Sequence, residues 1–279
     1  MSDDPTQHPA ALALTGFSAY HGAVAAAKDV SLRVERGSAV GVLGPNGAGK
    51  STLLLAAAGF VRTTGEVSIG GQVASRLSPA RRRRLGLAMV PQERAAVLEL
   101  SVAENLRLCW LTGRRATPYE QARESVLEIF PVLADRLGDP AGNLSGGQRQ
   151  MLAVSRGLMA TCDVLLLDEP TAGLSPKLIS ELVAAIRTLN ERGITVLLVE
   201  QNFSVVERTC SYLHVLNGGR IVWHGPTGAI DRDSIGDLYS GAGRPRPPGP
   251  GAADPAREAR VRPEADRAVP AGSGELGES

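Results

Sequence analysis

The sequence predicts an α/β fold organised around a parallel sheet, and three observations carry that expectation. Short apolar runs alternate with stretches of helical spacing along most of the chain. One run, Ala39-Val40-Gly41-Val42-Leu43, leads straight into a glycine-rich loop and then an apolar helix expected over Ser51 to Phe60. Two further runs, Val164 to Leu167 and Ile194 to Val199, are joined by a helix expected over Lys177 to Asn190.

The remaining elements follow in order. Ahead of the glycine-rich loop, alternating segments such as Val30-Ser31-Leu32-Arg33-Val34 read as strands. The stretch from Gly65 to Val73 alternates around Gly70-Gly71 and predicts a hairpin. Ser101 to Leu111 and Pro118 to Leu133 carry helical spacing, with Val126, Ile129, Phe130 and Leu133 on one face. Helix-promoting composition continues through Gln148 to Met159, so a helical subdomain is expected over about 93–160. His214 and His224 fall in a predicted terminal hairpin and need no functional role. From Arg244 the composition turns to Pro, Gly, Ala, Arg and Glu, which cannot bury enough apolar surface to offset ordering entropy. Residues 244–279 are therefore expected to be a disordered tail and residues 1–10 a flexible start, leaving 11–243 as the folded domain.

Composition narrows the function classes. With 279 residues and 43% apolar content the chain can bury a substantial core. A net charge of +1 gives no global attraction to nucleic acid, so no nucleic-acid partner is expected. Arg81-Arg82-Arg83-Arg84 is the local exception: either a solvated helix face or turn, or a patch for anionic headgroups or nucleic acid. Cys109, Cys162 and Cys210 are scattered and form no CxxC pair, so they read as small buried hydrophobes in a reducing cytosol. No apolar run approaches the roughly 20 residues of a membrane helix, and the first residues lack the pattern of a secretory signal. Any membrane role would need another chain to span the bilayer.

The chemistry concentrates in three motifs. Gly44-Pro45-Asn46-Gly47-Ala48-Gly49-Lys50-Ser51-Thr52 is a phosphate-binding loop in its required setting between strand and helix. Its glycines let backbone N–H groups close on phosphate oxygens, and the helix N-terminus adds a favourable dipole. Lys50 is expected on the β- and γ-phosphates and Ser51 on Mg²⁺. Asp168 ends an apolar strand, where a carboxylate needs a partner such as metal-bound water. Glu169 beside it is the candidate to orient the attacking water. Ser145-Gly146-Gly147 opens a helix with bare backbone amides suited to a γ-phosphate.

Leu144-Ser145-Gly146-Gly147-Gln148, lying between the phosphate loop and the Asp168-Glu169 pair, resembles the signature of the ATP-binding-cassette ATPases. The likeness runs from about Leu12 to Ala242. It implies a P-loop NTPase core with a parallel sheet, an antiparallel β-subdomain and an inserted helical subdomain. It also implies ATP and Mg²⁺ as ligands, and a head-to-tail dimer in which Ser145, Gly146, Gly147 and Gln148 complete the partner's site. Gln92 stands where the family keeps a glutamine that senses Mg²⁺ and the attacking water, although an ordinary loop amide competes with that reading. The segment Glu93 to Leu108 would then face a membrane partner. Register places His21 at the family's adenine-stacking position, with Tyr20 beside it, and either ring could stack on the base. Gln201 replaces the family's switch histidine; it can donate a hydrogen bond but carries no proton at neutral pH.

Finer features, Gly173-Leu174-Ser175-Pro176, Val199-Glu200-Gln201-Asn202 and Leu238-Tyr239-Ser240-Gly241, resemble the branch serving branched-chain amino-acid and urea or amide importers. That implies an ATP-hydrolysing subunit held on the inner face of the cell membrane by transmembrane permease subunits. A second ATPase subunit would pair with it, and a substrate-binding protein would act indirectly. Competing readings are an exporter or lipopolysaccharide-transport ATPase, a soluble ATPase of this superfamily, and a weakly hydrolysing regulatory subunit.

Overall fold

The computed structural model describes residues 9–92 and 96–240. The expectations for residues 1–8, the start of the helical subdomain at 93–95, Gly241 and the tail over 244–279 lie outside the described residues.

The backbone forms ten strands and eight α-helices among those residues: β1 (Leu12–His21), β2 (Val24–Val34), β3 (Ala39–Leu43), α1 (Lys50–Ala57), β4 (Thr63–Ile69), β5 (Gln72–Val73), α2 (Pro79–Arg84), β6 (Leu87–Val90), α3 (Val102–Thr112), α4 (Tyr119–Ile129), α5 (Gly146–Met159), β7 (Val164–Asp168), α6 (Pro176–Glu191), β8 (Thr195–Glu200), α7 (Phe203–Thr209), β9 (Tyr212–Asn217), β10 (Arg220–Pro226) and α8 (Arg232–Ser240). A six-stranded sheet runs β10-β9-β3-β8-β7-β6, and a four-stranded sheet runs β2-β1-β4-β5. Strands β9, β3, β8, β7 and β6 are parallel, while β10 and the whole smaller sheet are antiparallel.

The apolar runs are buried on both faces, as parallel sheets require. In β3, Ala39 and Leu43 join a core shared with α3, α5, α6 and α7, whereas Val40 and Val42 join a second core under α1 and the smaller sheet. Strand β7 divides its residues the same way, Leu165 and Leu167 against Val164 and Leu166. With side chains alternating across the strand, both sets must be apolar, which produces the unbroken run in the sequence.

Several expectations need correction. The helix expected over Pro118 to Leu133 ends at Ile129, and Pro131–Arg136 winds as a 3₁₀ helix. Proline at 131 disfavours α geometry at Phe130 and has no N–H to give the preceding turn. The helix expected to reach Phe60 stops at Ala57, with Gly59 in the left-handed region. The arginine run is not a solvated face throughout. Arg82 is only 2% exposed and donates to Leu77 O, Ala56 O, Ala57 O and Ser75 O. Its guanidinium thereby closes the C-terminus of α1, which has no basic residue in its own last turn. Among the free cysteines, Cys109 and Cys210 are buried, but Cys162 is only partly so.

This topology positions the site. The C-terminal ends of β3, β8, β7 and β6 lie side by side, with Leu43 opposite Glu200, Asp168 opposite Val199, and Val90 opposite Leu167. The phosphate loop, Gln201, Glu169 and Gln92 each follow one of these ends. Residues separated by more than 150 positions therefore meet along one edge of the sheet.

Candidate functional site

The phosphate loop owes its path to glycine at two positions. Gly49 has φ of 100°, and a Cβ there would stand 2.1 Å from Ala26 O in β2. Gly47 has φ of 78° with open space around it, which leaves the loop backbone accessible. Lys50 opens α1, and its Nζ donates to Gly44 O at 2.9 Å and Pro45 O at 3.0 Å. The ammonium is thus folded back over its own loop.

At the end of β7, Asp168 and Glu169 are both buried rather than facing solvent. Asp168 Oδ1 accepts from Ser51 Oγ at 3.0 Å. Burial pushes the Asp168 carboxyl above the usual range, an effect the Ser51 hydrogen bond and Lys50 oppose and Glu169 reinforces. Glu169 Oε1 pairs with Lys50 Nζ at 2.9 Å, deep enough that water screens the pair weakly. Its other oxygen accepts from Gln201 Nε2 at 2.6 Å and from Gln92 Nε2 at 3.4 Å. Gln201 Nε2 also donates to Asn46 Oδ1 at 2.6 Å, which ties it to the phosphate loop.

One carboxylate therefore gathers Lys50, Gln92 and Gln201, while Ser51 and Asp168 stand beside it. These are residues suited to phosphoryl transfer to water: a cation for phosphate, a carboxylate for the nucleophile, and amides to orient both. The donor set also fits Mg²⁺. A hydroxyl, a carboxylate desolvated enough to favour a cation, and an amide oxygen are hard donors of the type that ion takes. Among the described residues there is no cluster of three His, Cys, Asp or Glu that could hold a metal alone, so phosphate and water oxygens would complete the shell.

The signature residues lie apart from this network. Ser145 and Gln148 form a reciprocal capping box at the start of α5, with Ser145 N donating to Gln148 Oε1 at 2.9 Å and Gln148 N to Ser145 Oγ at 3.2 Å. Gly147 is packed, since a Cβ there would come 2.4 Å from Leu178 Cδ1 of α6. Gly146 is exposed, and a Cβ there would meet nothing within 4 Å.

The two candidate adenine rings are neighbours at the end of β1 and differ in their surroundings. Tyr20 is half-buried and lies under Arg62, whose guanidinium carbon is 4.9 Å from the ring centroid. His21 is exposed and pairs in register with exposed Val24. Thr52 follows Ser51 into α1 and is half-buried.

Sequence reasoning gave no role to Glu200. This residue is 3% exposed and accepts from Thr171 N at 3.2 Å and Thr171 Oγ at 2.7 Å. The available signal was the one that exposed Asp168, a carboxylate ending an apolar strand. The side chains of His214 and His224 stack across β9–β10, with ring centroids 5.7 Å apart.

Fold and site together define a P-loop nucleotide hydrolase of the ATP-binding-cassette type. Residues 27–172 match the family described as ABC transporter, and the chain belongs to that family. It is an ATPase of that family, and its nucleotide is ATP. It is 38% identical over 239 residues to the high-affinity branched-chain amino acid transport ATP-binding protein BraG of Pseudomonas aeruginosa, spanning 82% of this chain and 99% of that one. It is 37% identical to the probable branched-chain amino acid transport ATP-binding protein LivF of Archaeoglobus fulgidus, over 71% of this chain and 84% of the other. Among solved structures, a dimeric post-hydrolysis ATP-binding cassette bound to ADP and Pi superposes with a TM-score of 0.70 at 25% identity, covering 77% of this chain and 98% of that chain. No described helix is long and apolar enough to cross a membrane.

Proposed function

We propose that this chain is the ATP-hydrolysing subunit of an importer for branched-chain amino acids or related small polar solutes, seated on the cytoplasmic face of the cell membrane. The observation that carries the hydrolytic part is the Glu169 carboxylate, held at once by Lys50, Gln201 and Gln92. The importer part rests on the likeness to the BraG protein over nearly that protein's whole length.

In this reading the amides of Gly44 to Gly49, with Ser51 and Thr52, cradle the phosphates of ATP, and Lys50 leaves Glu169 to meet the γ-phosphate. Glu169 then orients and deprotonates the attacking water, with Gln201 and Gln92 fixing its carboxylate. Ser51, Gln92 and Asp168 would hold Mg²⁺, which supplies charge neutralisation at the phosphates when bound. His21 stacks on adenine, because Tyr20 is already engaged by Arg62. Residues 11–243 act as the ATPase domain, with its helical part over about 93–160.

Ser145, Gly146, Gly147 and Gln148 complete the site of a second ATPase subunit, since their own network does not reach Lys50. The permease subunits dock against the segment Glu93 to Leu108 and a neighbouring cleft of about 560 Å³ lined by Phe60, Arg83, Arg84, Met89, Cys109 and Arg156. Phe60 is 62% exposed there, as a docking anchor must be. The test is uptake of a labelled branched-chain amino acid into proteoliposomes holding the permease subunits, this chain and its partner ATPase, supplied with the substrate-binding protein. ATP-driven uptake that Glu169→Gln abolishes is the expected result. Uptake of neither a branched-chain amino acid nor urea or a short amide, or full uptake with Glu169→Gln, would refute the proposal.

A further inference from the structure

Glu169 sits in a turn that its own sequence does not favour. Its φ is 44°, in the left-handed region that a residue with a long side chain enters only when neighbours hold it there. Two anchors come from β8. Glu169 N donates to Val199 O at 2.9 Å, and two residues on, Thr171 gives both its N–H and its hydroxyl to Glu200 Oε1. The second oxygen of Glu200 accepts from the N–H of Gln201 at 3.2 Å. Gln201 in turn reaches Glu169 Oε2 with its side chain. The Glu200 carbonyl also accepts from Gly44 N at 3.3 Å, at the entrance to the phosphate loop.

We infer that Glu200 is a positioning residue for hydrolysis: its buried carboxylate locks the turn carrying Glu169 to the backbone of Gln201, so that base and switch amide move as one unit. Its carboxylate is taken up by protein donors at Thr171 and Gln201, so it acts through those residues. Its two oxygens are divided between the two elements whose separation sets where the attacking water stands. The inference rests on Glu169 being the water-orienting carboxylate. A carboxylate suits the task because the groups bonded to it, the Thr171 N–H and hydroxyl and the N–H groups of Gln201 and Asn202, are all donors. An amide at this position has one acceptor oxygen and turns an NH₂ toward one of those donors.

The experiment compares Glu200→Gln, Thr171→Val and the double variant in the full-length chain, assembled with the membrane subunits that copurify with it. Turnover is measured as kcat, and ATP affinity separately on the same preparations. Loss of one charge-assisted hydrogen bond predicts a fall in kcat on the order of tenfold for Glu200→Gln. ATP affinity should hold within about twofold, because none of the hydrogen bonds removed is made to nucleotide. Thr171→Val should lower kcat in the same direction. The double variant should fall well short of the product of the two losses, since both loosen the same Thr171–Glu200–Gln201 tie. Unchanged kcat in either folded variant, a parallel loss of ATP affinity, or fully multiplicative effects would overturn the positioning role. If Glu200→Gln does not fold, Thr171→Val decides alone, on whether kcat falls while affinity holds. Glu169→Gln is the control: wild-type turnover there would remove the premise, whereas its loss beside normal Glu200→Gln turnover would overturn the positioning role only.

Discussion

Replacing Arg82 by methionine keeps the aliphatic stem and removes the guanidinium that closes α1. Four acceptors lose a donor, but they are not equal. Leu77 O and Ser75 O bond Arg82 in part-buried surroundings, where water can replace it, whereas the bonds to Ala56 O and Ala57 O are buried. Ala56 O keeps a bond from Gly59 N, so the main loss falls at Ala57 O. An orphaned buried carbonyl costs about 1–3 kcal/mol. Losing a cation at a helix C-terminus adds roughly 0.3–1 kcal/mol. Against this stands the release of a buried charge, whose cost is visible in the lowering of the Arg82 pKa by burial. The net expectation is a loss of about 2–3 kcal/mol, or a fall in Tm of roughly 5–10 °C for a domain of this size. Arg81, exposed on the same helix, is the control, and Arg81→Ala should stay within about 0.5 kcal/mol of the parent. Thermal unfolding of the two variants beside the parent decides the matter. An Arg82→Met melting point within about 2 °C of Arg81→Ala would refute the capping argument.

Three further outcomes follow from the same geometry. His21→Ala should weaken ATP binding by between about twofold and tenfold, the worth of one ring stack, while Tyr20→Ala should leave it unchanged; a larger loss from Tyr20→Ala in a fluorescent-nucleotide titration would reverse the assignment. Gly146→Ala adds a methyl where the chain itself offers open space, so it should leave the melting point intact while impairing ATPase turnover of the dimer, and normal turnover would remove Gly146 from the partner's site. Burial raises the Glu200 carboxyl from its ordinary value of 4.5, against the hydrogen bonds from Thr171, Gln201 and Asn202, so between the unfolded and the folded value, and only there, the folded chain keeps a proton that the unfolded chain releases. That contribution to stability is complete below the unfolded value and is lost as pH rises through the folded one, so Glu200→Gln should flatten the decline in Tm above about pH 4.5. Parallel Tm curves for parent and variant would contradict it.

Much of the site was legible because its parts are short and local. A glycine-rich loop between an apolar strand and a helix, and a carboxylate pair ending another apolar strand, carry their chemistry in adjacent residues. The adenine position was half legible: Tyr20 and His21 are neighbours in sequence, and only the hairpin shows that one ring is covered by Arg62 and the other exposed. Arg82 was misread because four consecutive arginines look alike until α2 is laid against the end of α1. Glu200 was passed over because its partner, Thr171, lies 29 residues away and meets it only when β7 and β8 pair.

The sequence by itself determined most of the elements and the residue types that the structure gathers at one edge of the sheet. Periodicity, glycine placement and strand-end carboxylates are properties of neighbouring residues, set by backbone sterics and by the cost of burying charge. Tertiary structure alone decided which groups meet. The parallel register β3-β8-β7-β6 places Asn46, Gln201, Glu169 and Gln92 along one edge and leaves Ser145 to Gly147 elsewhere. Local propensity cannot carry that information, because the order of strands in a sheet follows from the burial of whole faces rather than from any single stretch of chain.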